Sequence, residues 1–570
     1  MRKKRLVFAL SGTLLCYAVF LFFSPLYYSS DSLMAALIVD GSFSPKNNIS
    51  QFQHPLFCFV VKLLTPLLPT ADVFTMLLHL TAAFGFYATL YFGSARLEQK
   101  KTWRVEDYVF VTILFLTVFF LSAGVNIWNS NYTITAGAFV FMGLVVSFPH
   151  HDDAPRPISA QTVSSLFLIA MGIMLRRESA LLFIPFIILD LIANVIDCPA
   201  AWKYILRRYA PCLIVFVILL TSRAVLYNIE PYATASRYND ARTAIMDFPM
   251  KGARDAGIDP IDYHAALDWG FADTDVMNVD MLEKIATAGE KNAYPLTWNG
   301  LQDVLKKIAL DLFHTNLYMS ILIGIIAILL LRNLLISPLW LKLESILGVL
   351  GAFLIMAYFT FRGRAPMRVW EPVLFATTYV LIQAGIPLSS TPSEIGRSVT
   401  SERLPLAKRW RGTVETVTMF LLAIALWFSA GQIMAYAVPN EKIQTTLTAR
   451  INVDDDEYEP SFDSLFIWPN WHGTIPRYFE HKGTLPSQRV IDHNIALGDW
   501  TYGQPYYTEF LSRIGAKNPI KALVEGNAYI MGNGLEQYLQ KHYGEDIRLV
   551  PTEIEVDERT AYRVERGQAE

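Results

Sequence analysis

Two very short loops in this chain hold five arginines: Leu175-Arg-Arg-Glu-Ser-Ala180 and Phe361-Arg-Gly-Arg-Ala-Pro-Met-Arg-Val-Trp-Glu371. Arg176, Arg177, Arg362, Arg364 and Arg368 stand there among apolar runs. A guanidinium presents a planar fork of donors that matches a phosphate, most effectively in a partly dry site. The bland alternative is snorkelling to lipid headgroups, or pairing with Glu178 and Glu371. Asp31 lies in Tyr27-Tyr-Ser-Ser-Asp31-Ser-Leu, just after the first apolar run. A carboxylate there could take a proton from an acceptor hydroxyl or amine as a general base, or cap a helix beginning at Ser32. His54, in Gln51-Phe-Gln-His54-Pro55, could touch a substrate phosphate, but a polar residue before proline also reads as a helix start. Asn129 and Asn131, crowded with Asn126, Trp128 and Tyr132, could line a sugar pocket, and an interfacial aromatic anchor is the competing explanation.

These residues need elements to hold them, and composition says what kind. The 570 residues are 53% apolar and 17% charged, against about a quarter charged in a soluble protein. A net charge of -3 gives no footprint for nucleic acid. The four cysteines are scattered without CxxC spacing, so neither a disulfide nor zinc is expected. His150-His-Asp-Asp153 and Asp454-Asp-Asp-Glu457 read as solvated segments rather than metal sites. No P-loop, dinucleotide fingerprint, G-x-S-x-G or H-E-x-x-H pattern occurs, which argues against soluble nucleotide hydrolysis.

The apolar runs predict a polytopic α-helical membrane protein with about eleven transmembrane helices. Candidate spans are 6–27, 73–93, 107–125, 133–148, 163–175, 179–196, 209–227, 317–332, 343–361, 371–388 and 412–437. The first is read as a retained helix rather than a cleaved signal, being long and without a small-residue cleavage site. Run 55–69, broken by Lys62, Pro66 and Pro69, is read as an interfacial helix. Arg96, Lys100, Lys101 and Arg104, then Lys203, Arg207 and Arg208, then Arg397, Arg403, Lys408, Arg409 and Arg411 mark the cytoplasmic loops. The N-terminus is therefore cytoplasmic, in a plasma membrane of bacterial type. The two arginine loops become exceptions on the outer face. Residues 1–437 form the membrane domain, with outer loops 28–72 and 228–316, and residues 438–570 a small extracytoplasmic α/β domain. Strand-like runs fall at 495–497, 522–524, 528–531 and 548–550, and helix-like ones at 507–514 and 535–543.

This order of elements resembles the GT-C superfamily of membrane glycosyltransferases, which includes the protein O-mannosyltransferases and the aminoarabinose transferases. The resemblance covers most of the chain in element order, with sequence matches confined to short stretches. It implies transfer of a sugar from a polyprenyl-phosphate-linked donor to an envelope glycan, lipid or protein acceptor. By position, Asp31 matches the acidic residue of the first outer loop, the general base. His54-Pro55 matches the polar-then-proline start of the second interfacial helix. Arg176 or Arg177, with Arg362, Arg364 or Arg368, matches the residues that hold the donor phosphate, and Glu178, Asn129 and Asn131 complete the expected substrate-binding set. Many relatives carry an acidic pair where this chain has Asp31-Ser32; a divalent metal is compatible with the family but not indicated by these residues. A flippase of lipid-linked saccharide, a polysaccharide polymerase or ligase, and a sugar sensor are the other readings; no internal repeat favours transport.

Overall fold

The computed structural model describes residues 2–23, 30–68, 72–98, 131–147, 159–197, 199, 202–246, 257–268, 270–289, 293–313, 317–364, 367–385, 413–414, 416–425, 465–469, 488–556 and 559–567. A first group of helices comprises α1 (Arg2–Phe23), α2 (Ser30–Val39), α3 (Pro55–Leu64), α4 (Val73–Glu98), α5 (Tyr132–Val146), α6 (Ala160–Leu175), the short α7 (Arg177–Leu181), α8 (Ile184–Asp197) and α9 (Trp202–Leu226). After α10 (Tyr232–Met246), α11 (Pro260–Leu267), α12 (Val279–Ala288) and α13 (Trp298–Phe313) come three further long apolar helices. They are α14 (Leu317–Ile336), α15 (Leu339–Phe361) and α16 (Met367–Gly385).

Among the described residues, five helical segments are long and apolar enough to cross a membrane: Val73–Gly93, Arg177–Ile196, Tyr209–Leu226, Met319–Ile336 and Leu339–Phe361. The chain is a polytopic membrane protein. The expected span 107–125 lies outside the described residues, as does most of 412–437, where Thr416–Ala425 is helical. The run 55–69 makes α3 and a 3-10 turn, Thr65–Leu67. Phe57, Cys58 and Val61 face inward while Leu56, Phe59 and Leu63 are exposed, an amphipathic spacing of three and four residues.

Helices of this composition pack by close approach of small residues, because lipid gives little drive to hide one apolar side chain behind another. The α5–α6 pair shows it. A Cβ at Gly172 would meet the Ala136 carbonyl oxygen at 2.6 Å, and one at Gly143 the Ser165 carbonyl oxygen at 2.9 Å. The Ser165 hydroxyl donates to the Gly143 carbonyl at 2.7 Å, so a side-chain-to-backbone hydrogen bond also crosses the seam. Every residue of α5 is buried, which leaves its first turn enclosed by the elements that carry the candidate chemistry.

The last part of the chain forms a five-stranded mixed sheet, β1 (Leu465–Trp468), β2 (Asn494–Ala496), β3 (Ala528–Ile530), β4 (Ile547–Val556) and β5 (Arg559–Arg566), in the order β2-β1-β3-β5-β4. The β1 strand runs parallel to β2 and β3, whereas β5 is antiparallel to β3 and β4. Helices Gln488–His493, Pro505–Arg513, Pro519–Val524 and Glu536–Tyr543 lie between the strands in sequence. The run 522–524, expected as a strand, is instead the end of Pro519–Val524. Pro519 sits at its start, and the Asn518 side chain accepts from the Lys521 amide at 3.1 Å, so the local signals are those of a capped helix.

A second apolar cluster joins this sheet to α2 and to α10–α12, through Leu33, Met34, Leu37, Tyr238, Ile245 and Leu282 against Tyr506, Phe510 and their neighbours. Asp273, in the stretch before α12, accepts from Tyr538 at 3.0 Å, Tyr543 at 2.8 Å and Asn518 at 2.8 Å. The C-terminal segment is thereby seated on α2, which carries Asp31 in its first turn, and on α10–α12 with the stretch before α12.

Candidate active site

Asp31 occupies the first turn of α2, where the positive end of the helix dipole favours a carboxylate. The opposite wall is the first turn of α16. Arg368 from that turn donates to Asp31 Oδ2 at 3.0 Å, across 337 residues of sequence. Both side chains remain about a third exposed, at 37% and 30%, so the pair is held weakly enough to exchange partners. The neighbouring Ser32 hydroxyl accepts from the Tyr132 backbone amide at 3.4 Å, which fixes α2 against the start of α5.

Tyr132 is the hub. Its phenol lies within electrostatic range of Asp31, Arg176, Glu178 and Arg368, and Arg176 Nη1 donates to its oxygen at 3.4 Å. Arg176 stands at the break between α6 and α7, with its guanidinium 4.0 Å from the centre of the Phe52 ring and its Nε 3.0 Å from Glu178. Arg177 also reaches Glu178, at 2.7 Å. Asp31, Arg176, Arg177, Glu178 and Arg368, which the sequence placed in three separate outer segments, are thus brought to one end of the bundle.

The rest of the second arginine loop behaves differently. Gly363, with φ 79°, reverses the chain after α15, and Arg362 turns back to the Tyr358 hydroxyl at 3.4 Å. The Arg364 backbone amide closes the same turn onto the Phe359 carbonyl at 3.1 Å. Among the described residues, Arg368 is the arginine that meets Asp31. Asn131 caps α5, its side-chain oxygen accepting from the Thr133 amide at 3.2 Å and the Ile134 amide at 3.4 Å. Asn129 lies outside the described residues.

His54 caps α3 by accepting from the Leu56 amide at Nδ1, 3.1 Å. With Nδ1 an acceptor, Nε2 carries the hydrogen and faces the Leu219 carbonyl at 3.2 Å and the Ser222 hydroxyl at 3.0 Å. Burial, reinforced by the Arg223 charge and partly offset by the Leu219 carbonyl, lowers its pKa and keeps the ring neutral. In this state both nitrogens serve as a strut between α3 and α9.

Arg223 was missed by the sequence reading. It is buried and donates to the backbone carbonyls of Gln51, Phe52 and Gln53, so it positions the Phe52 ring on which Arg176 stacks. It also lies within electrostatic range of Arg176, Arg177 and Glu178. Three guanidinium groups against one carboxylate leave local positive charge for an anion. The available signal was an arginine inside the apolar run 209–227.

Asp499 belongs to a stretch that the sequence offers as either a carbohydrate contact or a strand-to-loop transition, Gly498–Gly503 with Tyr506 and Tyr507, with no role marked for the carboxylate itself. The loop Gly498-Asp-Trp-Thr-Tyr-Gly503 folds onto the site through Trp500, whose ring sits 4.8 Å from that of Phe52. Gly503 adopts φ 73° and approaches α10 so closely that a Cβ would meet Tyr238 Cγ at 2.3 Å. Asp499 is buried at 7% exposure, and its Oδ1 accepts from the Trp500 amide at 2.5 Å. Burial, with a smaller contribution from Asp31, pushes its carboxyl up to about 7, against the Trp500 amide and Arg242.

This raised value makes stability depend on pH. The folded chain holds the Asp499 proton more tightly than the unfolded chain, so between the ordinary carboxylate range near 4 and about 7 the unfolded state loses the proton first. Stability therefore falls as pH rises through that window, and the loss is complete above it. Asp499→Asn is expected to raise the thermal midpoint at pH 8, by a stability gain on the order of a few kcal/mol, with the gain shrinking towards pH 4. Thermal scans at the two pH values check this; an equal shift at both would contradict it.

No protein-family profile and no curated protein matches the chain. Two solved structures resemble it in overall course. The crystal structure of ArnT from Cupriavidus metallidurans bound to undecaprenyl phosphate aligns over 98% of this chain and 97% of its own, with 10% identity and a TM-score of 0.45. The same protein in the apo state aligns over 98% of both chains, with 11% identity and a TM-score of 0.39.

Proposed function

We propose that this chain is a membrane glycosyltransferase of GT-C type that moves a sugar from a polyprenyl-phosphate donor to an acceptor at the outer face. One observation carries the reading: the Asp31–Arg368 pair and the Arg176–Glu178 pair, from separate segments, converge on the Tyr132 phenol. A potential base thus stands beside a group of cations at one end of an apolar bundle, where a lipid-borne phosphate would arrive.

In this proposal Arg176 and Arg177 receive the donor phosphate, and Arg368 leaves Asp31 to join them. The anomeric C–O bond to phosphate breaks, and its electron pair departs with the lipid phosphate. The acceptor oxygen bonds to the anomeric carbon, and its proton passes to Asp31. The exchange of Arg368 from carboxylate to phosphate frees the Asp31 oxygen to accept the acceptor proton only when donor is present. Cations fixed before reaction stabilise the charge that develops on the leaving phosphate. Arg362 and Arg364 would guide the headgroup at the rim, and Asn129 and Asn131 the sugar. Residues 438–570 would form an extracytoplasmic α/β domain over the site, in a bacterial-type plasma membrane with the N-terminus cytoplasmic.

The test is turnover by the purified chain in liposomes with a polyprenyl-phosphate hexose and a solubilised envelope extract. Release of free lipid phosphate with labelled sugar on an extract component is the expected result. Donor that crosses the bilayer chemically unchanged would favour the flippase alternative instead.

A further inference from the structure

Asp499 presents a feature that packing alone does not explain. It is nine-tenths buried, yet its Oδ2 has no hydrogen-bond partner among the described residues. Leaving a buried carboxyl oxygen unbonded costs free energy, and such a group calls for an occupant or a function. Its surroundings point to the site. Asp31 lies within electrostatic range on one side and Arg242 of α10 on another. Tyr506, fully buried at the start of helix Pro505–Arg513, also has a hydroxyl without a hydrogen-bond partner among the described residues, and it lies within range of Asp499, Tyr132 and Tyr227. Two unpaired polar atoms from the C-terminal segment thus face the same end of the bundle as Asp31.

The loop that carries Asp499 and leads into the Tyr506 helix is anchored rather than loose. Trp500 packs on Phe52, and the Arg176 guanidinium lies against that same ring. The Tyr502 hydroxyl ties the loop to its own sheet, donating to the Ala496 carbonyl at 2.6 Å, and the Gln504 side chain donates to the Ala235 carbonyl at 3.3 Å. The position of Asp499 is therefore coupled to the arginine that would hold the donor.

We propose that Asp499 Oδ2 and the Tyr506 hydroxyl form an acceptor subsite, binding a hydroxyl of the acceptor beside Asp31 so that the C-terminal segment selects what is glycosylated. This rests on the glycosyl-transfer reading above. A carboxyl oxygen and a phenol are suited to a hydroxyl, which both donates and accepts, and ill suited to a second phosphate. Asp499 contacts the acceptor in this scheme, whereas Asp31 takes the proton.

The experiment uses the full-length chain in lipid nanodiscs, a polyprenyl-phosphate hexose as donor and a solubilised envelope extract as acceptor. Asp499→Asn is expected to raise the extract concentration for half-maximal transfer about tenfold while the donor KM stays within about twofold. Tyr506→Phe, which keeps the ring and its packing, is expected to shift the same quantity in the same direction. Unchanged half-saturation in both variants overturns the subsite. So does a donor KM that rises in step with it, since that would place the residues at the phosphate. Failure of the wild-type chain to transfer sugar overturns the glycosyltransferase reading itself and is told apart from the first two results by the absence of any product.

Discussion

Asp31→Asn is expected to lower sugar transfer by about two to four orders of magnitude while leaving donor binding intact or tighter. The substitution keeps the size and the position at the head of α2 but removes the ability to accept a proton. It also releases Arg368, which otherwise spends its charge on Asp31 at 3.0 Å. A donor phosphate would then meet an unpaired guanidinium. The two effects have opposite signs, which separates this outcome from simple misfolding: kcat collapses and the donor Kd does not rise. Single-turnover rates and binding of a polyprenyl phosphate to the purified variant check both. Transfer at the wild-type rate would remove Asp31 from the chemistry.

Arg176→Ala carries the second largest expected effect. Its guanidinium is fixed on three sides, by the Phe52 ring at 4.0 Å, by Glu178 at 3.0 Å and by the Tyr132 hydroxyl at 3.4 Å, and its side chain is only 17% exposed. A cation held this way presents its remaining donors without reorganising, in surroundings drier than bulk water. Its loss is expected to weaken donor binding by about a hundredfold, the scale found when one partner of a sequestered charge pair is truncated. Arg176→Lys is expected to recover little, because an ammonium neither stacks on Phe52 nor offers a planar fork. Donor KM and lipid-phosphate binding in the two variants are the measurements. A donor KM within about twofold of wild type in Arg176→Ala would place the phosphate elsewhere.

Much of the membrane part was legible because a spanning helix needs only a run of apolar residues, and each run can be read without its neighbours. The α3 start was equally local: His54 caps the amide two residues on, with Pro55 at the first turn. The arginines were legible as a set, since charge at the edge of an apolar run stands out. Which of them meets Asp31 was not. That depends on Gly363 reversing the chain and on α16 beginning at Met367, so that Arg368 falls in its first turn. Gly498–Gly503, with Tyr506 and Tyr507, was legible as either a carbohydrate contact or a packed strand-to-loop transition, and the choice between them stayed open for a different reason. Nothing in Gly498–Gly503 distinguishes an ordinary strand-to-loop transition from one that brings a carboxylate close to α2. The distinction exists only after Trp500 has found Phe52, more than four hundred residues earlier in the sequence.

Those long-range contacts also alter how the C-terminal segment is understood. Its sheet shares an apolar cluster with α2, the helix whose first turn holds Asp31. Movement of the sheet would therefore be felt at Asp31, at Phe52 and, through Phe52, at Arg176.

The most direct measurement is a structure of the chain with a polyprenyl phosphate bound. The account predicts phosphate oxygens within hydrogen-bond distance of Arg176 and Arg368, with Arg368 withdrawn from Asp31 and the lipid tail leaving between membrane helices. A phosphate bound away from both arginines, with the Asp31–Arg368 pair still closed, would contradict it.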